Sequence, residues 1–251
     1  YTGFNGEIKM IKIADITKFY TNKYIKTFVL RDIHLEVPEG EFLTVMGPSG
    51  AGKTTLLNII GMLDLPSEGT YYFHEHAVHQ LKEKERTGLQ HQNIGYIFQS
   101  FNLIEELTVY ENIETPLLYK KVKSAERKAL VAEYLDRFHM VAKKDLFPSQ
   151  LSGGQQQLAA IARALIIRPR LILADEPTGN LNSTQGIEIM ELLKRMNEES
   201  GTTIVQVTHS DEKAAYGDRT IHLKDGWIES SSYGDTNCQP SFMEEKKKEI
   251  S

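Results

Sequence analysis

A glycine-rich stretch that ends in lysine and threonine carries the clearest chemistry in the sequence. It fits the pattern G-x-x-x-x-G-K-[S/T]. Its residues are Gly47, Pro48, Ser49, Gly50, Ala51, Gly52, Lys53, Thr54 and Thr55. Glycines let backbone N–H groups converge on an anion, and the helix that follows adds its positive N-terminal end. In this pattern the lysine reaches the β- and γ-phosphates and the Thr54 hydroxyl ligates Mg²⁺, so the stretch predicts a nucleoside triphosphate site.

Four polar side chains stand where further apolar segments end. They are Gln99, Asp175, Glu176 and His209. In an open parallel sheet, ligands bind beyond the carboxyl ends of the strands, so these residues can meet around one triphosphate. Asp175 suits a carboxylate beside Mg²⁺, and Glu176 is placed to orient or deprotonate an attacking water. Two adjacent carboxylates near phosphates repel each other without a cation, so Mg²⁺ is implied. A solvated strand end is the alternative for each residue taken singly.

A second glycine-rich stretch repeats the physics of the first. Its residues are Ser152, Gly153, Gly154 and Gln155, and a helical pattern follows them. Small residues with bare N–H groups at a helix N-terminus form another anion site. One mononucleotide fold needs only one such site. The second is best explained if it serves another subunit's nucleotide, which predicts an ATP-dependent homodimer with shared sites.

The elements that position these residues alternate between apolar strands and amphipathic helices. Strands are expected at 41–46, 93–98, 171–174 and 202–207. Helices are expected at 55–60, after the second glycine-rich stretch to about 167, and from 183 to about 199. This order predicts an α/β fold: a P-loop NTPase core with a parallel sheet and helices on both faces. Strand patterns before the first glycine-rich stretch predict an N-terminal antiparallel β subdomain. An apolar stripe within 107–140 predicts an inserted α-helical subdomain.

Several local features carry weaker expectations. The first strand is expected at 7–16, with 18–20 ending it and 21–27 forming a polar loop. Ser124 is expected to cap a helix, and an Asp-Gly turn at 225–226 to join a hairpin that ends at 229. The histidines at 74, 76 and 79 lack the spacing of a closed metal site, so they are expected to be solvated. Residues from 230 onward are polar and predict a poorly ordered tail.

Composition narrows the class of protein. The 251 residues are 40% hydrophobic and 25% charged, as in ordinary soluble globular domains. A net charge of −5 gives no global basic surface, so no nucleic-acid partner is expected. No stretch approaches the roughly 18 apolar residues that span a bilayer, so any membrane role requires a partner. The single cysteine, Cys238, suits a reducing compartment.

Taken together, these motifs carry a family resemblance. The sequences GPSGAGKTT, LSGGQ and LILADEPTGNL, with Gln99 and His209, resemble the ATP-binding subunit of ABC transporters over residues 8–230. The resemblance implies that Tyr20 stacks on adenine, although ordinary packing is the better reading of an isolated tyrosine. It also implies that Gln99 contacts Mg²⁺ and senses a permease, and that His209 contacts the γ-phosphate. The residues expected to act in hydrolysis are His209, Lys53 and Glu176.

The resemblance further implies an arrangement of parts. Residues 8–230 form the ATPase domain, 100–145 the helical subdomain that grips a transmembrane permease, and 231–251 a polar tail. Mg²⁺ is held by Thr54, Gln99 and Asp175, and the sequence LSGGQ contacts the partner subunit's ATP. Such a subunit sits at the cytoplasmic face of the cell membrane through its permease.

Within the family, the chain looks like the ATPases of macrolide exporters, lipoprotein-release systems and antimicrobial-peptide resistance. The sequences GPSGAGKTTLLNIIGMLDLPSEG, IGYIFQSFNLI and ADEPTGNL carry this likeness. A transmembrane-signalling ATPase that moves no substrate, similar to cell-division relatives, is the alternative. A DNA-repair or translation ATPase would need a coiled-coil insertion or a second ATPase copy, for which the chain has no room.

Two positions depart from the family pattern. Asn182 stands where the family usually has aspartate, and Leu158 stands where an arginine is usual. Asparagine keeps an acceptor but loses a charge expected to contact the partner's phosphate loop. Leu158 removes a charge from the helix that follows LSGGQ. Both changes bear on subunit coupling and turnover rate.

Overall fold

The computed structural model describes residues 9–22 and 25–233. The strands are β1 (Lys9–Thr21), β2 (Lys26–Pro38), β3 (Phe42–Met46), β4 (Glu68–Phe73), β5 (His76–Ala77), β6 (Ile94–Ile97), β7 (Leu171–Asp175), β8 (Thr203–Val207), β9 (Arg219–Lys224) and β10 (Trp227–Tyr233). The α-helices are α1 (Lys53–Ile60), α2 (Glu83–Asn93), α3 (Val109–Tyr119), α4 (Ser124–Arg137), α5 (Gly153–Leu165), α6 (Ser183–Ser200) and α7 (Asp211–Ala214).

A six-stranded sheet with the order β10-β9-β3-β8-β7-β6 forms the centre of the molecule. Its strands from β9 to β6 pair in parallel, and β10 adds an antiparallel edge. The carboxyl ends of β3, β6, β7 and β8 therefore lie at one edge of the sheet. The α/β prediction is confirmed, and this edge is where the polar residues of interest emerge.

Alternation along the central strands divides the interior into two cores. On β7, Leu171 and Leu173 face a core shared with α1 and the N-terminal strands. Ile172 and Ala174 face a second core shared with α3, α4, α5 and α6. Because successive side chains of a strand point to opposite faces, a wholly apolar run is required when both faces are covered.

The N-terminal sheet is antiparallel, with the order β2-β1-β4-β5. The expectation that residues 18–20 end the first strand is wrong, because β1 runs to Thr21 and pairs Phe19 with Phe28. Register shifts interrupt the pairing of β1 with β2 at several points, and the strand continues through them. The expected loop at 21–27 is shorter than predicted, since β2 begins at Lys26. Residues 7 and 8 lie outside the described part of the chain.

Two helices, α3 and α4, lie in the region from 107 to 140, where the apolar stripe predicts helical structure. Thr108 caps α3 by accepting a hydrogen bond from the Glu111 N–H, and α3 ends at Tyr119. The prediction that Ser124 caps the next helix is wrong by one position. Lys123 is the capping residue, and Ser124 is the first residue inside α4. The predicted apolar stripe is buried at Val131, Tyr134, Leu135 and Phe138.

Two further local expectations need correction. The expectation that the histidines at 74 and 79 are solvated is wrong. His79 Nδ1 lies 3.2 Å from the backbone N of Tyr71. The side chain of His74 is only 16% exposed. β10 continues to Tyr233, so residues 230–233 belong to a strand, held by pairing with β9, and not to a tail. Cys238 and the rest of the predicted tail lie outside the described residues.

Candidate functional site

The glycine-rich stretch forms a tight connection between β3 and α1. Gly52 caps α1 in the left-handed region with φ of 102°. A Cβ on Gly52 would come within 2.9 Å of the Val29 carbonyl oxygen, and a Cβ on Gly47 would overlap the carbonyl oxygen of Leu223. Glycine is therefore required at both positions by close backbone approach, before any ligand is considered. Pro48, Ser49 and Gly50 are exposed at the tip of the loop.

Lys53 lies across the inside of this loop. Its Nζ donates to the carbonyl oxygens of Gly47 and Pro48 at 2.8 Å and 2.9 Å. The ammonium is thus held against the backbone of the loop, next to the start of α1. A cation at a helix N-terminus is unfavourable unless an anion shares the space, which makes this position suited to phosphate.

Thr54 and Asp175 meet although 121 residues separate them. The Thr54 Oγ1 donates to Asp175 Oδ2 at 3.1 Å. Burial raises the pKa of Asp175, the hydrogen bond from Thr54 opposes that rise, and the neighbouring charge of Glu176 adds to it. Mg²⁺ prefers oxygen ligands, and this hydroxyl and carboxylate lie side by side. A nearby cation would also favour the ionised form of Asp175, so the side chains present fit this ion.

Glu176 and His209 form a second pair next to the first. Glu176 Oε1 lies 2.8 Å from His209 Nδ1, and its Oε2 accepts from the Thr208 hydroxyl at 3.4 Å. The carboxylate is mostly buried at 16% exposure, whereas the His209 side chain is 76% exposed. Glu176 has φ of 46°, a left-handed conformation that is uncommon outside glycine and asparagine. An oriented carboxylate with one histidine partner is an arrangement that can accept a proton from water.

Gln99 lies beyond β6 and is exposed. Its backbone carbonyl accepts from Asn180 Nδ2 at 2.8 Å. Gly179 makes room for its side chain, since a Cβ there would stand 2.9 Å from Gln99 Nε2. The structure therefore brings Gln99 against the loop that begins at Glu176.

The second glycine-rich stretch begins α5. Ser152 caps the helix by accepting from the Gln155 N–H at 3.4 Å, and Gln155 Oε1 accepts from the Ser152 N–H at 3.1 Å. Gly154 lies beneath the side chain of Gln185, which a Cβ would overlap. Within the described ranges, no hydrogen bond joins these residues to the first glycine-rich loop. The two predicted anion sites are thus not brought into one hydrogen-bonded network in a single chain.

Tyr20 lies near the end of β1 with 52% of its surface exposed. Its hydroxyl donates to Asp64 Oδ2 at 3.0 Å, and Lys18 Nζ donates to Asp64 Oδ1 at 2.7 Å. The ammonium of Lys18 also stands 4.9 Å from the Tyr20 ring centroid. Sequence reasoning missed Lys18 and Asp64, because they are 46 residues apart and no local pattern links them.

The two departures from the family pattern have local roles. Asn182 caps α6, and its Oδ1 accepts from the Gln185 N–H at 2.9 Å. Leu158 is half-buried and packs against the second core. Asparagine and aspartate are about equally good caps, so the start of α6 does not explain the choice between them.

The chain is similar to known proteins over most of its length. A family model described as ABC transporter matches residues 30–179. MJ0796, an uncharacterized ABC transporter ATP-binding protein of Methanocaldococcus jannaschii, is 47% identical over 227 residues, which cover 88% of this chain and 95% of that protein. MacB of Brucella melitensis, a macrolide export ATP-binding/permease protein, is 43% identical over 223 residues, which cover 89% of this chain and 34% of that protein.

Solved structures give the same likeness. A dimeric structure of MJ0796 in a post-hydrolysis state, bound to ADP and Pi, matches with a TM-score of 0.84 at 44% identity. The match covers 89% of this chain and 98% of that one. Among the helices of the described residues, none is long and apolar enough to cross a bilayer.

Proposed function

The chain belongs to the ABC transporter family, and we propose that it is the ATP-hydrolysing motor subunit of an exporter. It energises a membrane permease of the macrolide, lipoprotein or antimicrobial-peptide type. One observation carries the proposal: the Thr54–Asp175 and Glu176–His209 pairs meet at one sheet edge beside the glycine-rich loop. A transmembrane permease is the proposed partner of this ATPase, and the chain matches about a third of the length of MacB, which is described as an ATP-binding/permease protein.

Binding of ATP uses the loop and the side chains around it. The backbone of residues 47–52 and the ammonium of Lys53 hold the β- and γ-phosphates, and Tyr20 offers an exposed ring to the base. Thr54, Asp175 and Gln99 would hold Mg²⁺. When bound, this ion neutralises charge on the phosphate oxygens and offsets the cost of ionising Asp175.

Hydrolysis is assigned to Glu176 and His209. Glu176 accepts a proton from the attacking water or orients it, because its carboxylate is held from one side by His209 and from the other by Thr208. His209 is exposed enough to turn toward a γ-phosphate while it keeps Glu176 oriented. Stabilising the charge that develops on the phosphoryl group falls to Lys53 and the loop backbone.

The dimer completes each site. Ser152 and Gly153 are accessible at the N-terminus of α5, where bare N–H groups favour an anion. In a two-fold dimer, this stretch of one subunit faces the nucleotide of the other. The dimeric MJ0796 structure with ADP and Pi supports this arrangement by its similarity. The likeness to macrolide-export proteins favours transport over the signalling alternative, and we place the subunit at the cytoplasmic face of the membrane through its permease.

Hydrolysis and dimerisation can be tested together on the purified chain with Mg²⁺-ATP. Release of inorganic phosphate is measured for the wild type, for Glu176→Gln and for the exposed-site control Glu188→Gln. Glu176→Gln should lower turnover at least about a hundredfold, the scale of a lost general base, and should elute as a dimer in size-exclusion chromatography with Mg²⁺-ATP. Glu188→Gln should behave as wild type.

Two results would contradict the proposal. One is wild-type turnover in Glu176→Gln, and the other is a wild-type chain that releases no phosphate from ATP at any protein concentration. The exporter assignment is tested separately by the open reading frames beside the coding sequence, which should include a permease.

A further inference from the structure

A buried amide connects α5 to the loop that follows Glu176. Gln157 lies in the second turn of α5 and is 1% exposed. Its Nε2 donates to the carbonyl oxygen of Pro177 at 2.6 Å. Pro177 is itself buried and comes directly after Glu176 in the chain. A single hydrogen bond therefore connects α5, which begins at the second glycine-rich stretch, to the backbone next to the proposed general base.

The amide is poorly explained as a contribution to stability. Its Oε1 is buried and, among the described residues, accepts no hydrogen bond. An unpaired buried acceptor is unfavourable, and an apolar side chain of the same shape would avoid the penalty. The hydrogen bond to Pro177 is thus retained at a cost in free energy of folding, which points to a role in placing that loop.

The loop needs to be held at this point. Glu176 has φ of 46°, a backbone conformation that persists only when surrounding contacts determine it. On the sheet side, the Glu176 N–H donates to the Val207 carbonyl at 3.0 Å. On the helix side, Gln157 provides the hydrogen bond to the next residue. The two contacts hold the backbone of Glu176 between β8 and α5.

A second polar side chain of α5 holds the other loop of the site. Arg163 donates to the carbonyl oxygens of Asn102 and Phe101 at 2.6 Å and 3.0 Å. Both residues have positive φ and follow closely after Gln99. Arg163 is half-buried, and this burial lowers the pKa of its guanidinium. α5 is therefore attached by its polar residues to both the Gln99 segment and the Glu176 segment.

We propose that Gln157 is a positioning residue for Glu176, through which the orientation of α5 sets the placement of the general base. The inference rests on the proposed function, since it takes Glu176 as the base. Its consequence is that a movement of α5, whose N-terminus carries the Ser152–Gln155 stretch, moves the backbone at Pro177 and with it the carboxylate.

Steady-state ATP hydrolysis of four proteins tests the inference: wild type, Gln157→Met, Glu176→Gln and the double variant. Gln157→Met keeps the length of the side chain but removes the donor. It should lower kcat about tenfold to a hundredfold while KM for ATP stays within about twofold, because a misplaced base affects chemistry and not ground-state binding. In the Glu176→Gln background, the same change should alter the residual rate by less than about twofold, since Gln157 acts through Glu176.

A second buried amide provides the control for lost stability. Asn197 Nδ2 donates to the carbonyls of Gly40 and Thr202 at the far end of α6. Asn197→Leu should lower the melting temperature but keep kcat near that of wild type. If Gln157→Met does not fold, Gln157→Asn replaces it, because it keeps the amide and shortens its reach by one carbon.

Two results would overturn the inference. One is a Gln157→Met protein with wild-type kcat, and the other is a loss that multiplies fully with Glu176→Gln. A wild type that hydrolyses ATP and an impaired Glu176→Gln protein first establish the proposed function. Either of the two results above, obtained with these proteins, then contradicts the inference alone.

Discussion

His209 Nδ1 lies 2.8 Å from Glu176 Oε1, although the two residues follow different strands and are 33 positions apart. The parallel pairing of β7 with β8 brings them together, with Asp175 opposite Val207 in the register. The histidine is exposed and the carboxylate is mostly buried. The pair therefore consists of a mostly buried carboxylate and an exposed imidazole that lies between this carboxylate and the solvent.

His209→Ala should lower kcat about tenfold to a hundredfold, because Glu176 loses the partner that orients it and a γ-phosphate loses a donor. KM for ATP should change little. The exposed histidine at position 76 offers a matched control, and His76→Ala should keep wild-type turnover. Phosphate release at saturating Mg²⁺-ATP measures both. An unimpaired His209→Ala protein would rule out a catalytic role for this contact.

Lys53→Ala should abolish hydrolysis and weaken ATP binding at least about tenfold, the scale of a charge-assisted hydrogen bond lost from a phosphate site. The ammonium is the cation that lies within the loop, where it now donates to the carbonyls of Gly47 and Pro48. A fluorescent ATP analogue measures affinity without requiring turnover. Lys84→Ala, on the exposed face of α2, should bind as wild type. Unchanged affinity in Lys53→Ala would place the phosphates elsewhere.

Replacing Asp175 or Asp64 by asparagine should change the melting temperature at pH 7 in opposite directions. Burial raises the pKa of Asp175, so the folded chain binds this proton more tightly than the unfolded chain does. The free energy of unfolding then falls as the pH rises from the ordinary aspartate range through the raised pKa. Asp175→Asn should therefore raise the melting temperature of the nucleotide-free protein at pH 7, and the gain should shrink as the pH falls toward about 4.

Burial alone would raise the pKa of Asp64, but hydrogen bonds from Lys18, the Leu65 N–H and Tyr20 outweigh it and lower the pKa. The ionised form of this carboxylate stabilises the fold above the ordinary aspartate pKa, and that stability is lost as the pH falls through the lowered value. Asp64→Asn should therefore lower the melting temperature at pH 7. Melting curves between pH 4 and 8 compare the two variants. Shifts of the same sign at pH 7 would contradict the electrostatic account.

Asn182→Asp should strengthen ATP-driven dimerisation. Aspartate caps α6 about as well as asparagine, so the stability of the monomer should stay within about 0.5 kcal/mol. The added charge faces the partner's phosphate loop in the proposed dimer, where a charge-assisted hydrogen bond is about twice as strong as a neutral one. Specific activity is measured against protein concentration at saturating Mg²⁺-ATP. An unchanged concentration at half-maximal specific activity would show that local packing already compensates for the missing charge.

The sequence alone determined what depends on neighbouring residues. The strand, the glycine-rich loop and the helix from 42 to 60 are contiguous, and both of their signals, apolar runs and glycine spacing, are local. For the same reason Asp175 and Glu176 could be placed at the end of a buried strand. The boundaries of two strands were predicted wrongly. β1 continues through register shifts that no local pattern shows, and β10 lies at the edge of the sheet, where its polar residues resemble those of a tail.

Only the tertiary structure decided which distant residues touch. The hydrogen bond from Gln157 to Pro177, the Lys18–Asp64–Tyr20 network and the pairing of Glu176 with His209 join residues that sequence patterns treat separately. These contacts depend on strand order and on the packing of α5 beside α3 and β6, neither of which is encoded in the spacing of any one segment. Periodicity reports which face of an element is buried, whereas the partner on that face is chosen by the free energy of the whole packed chain.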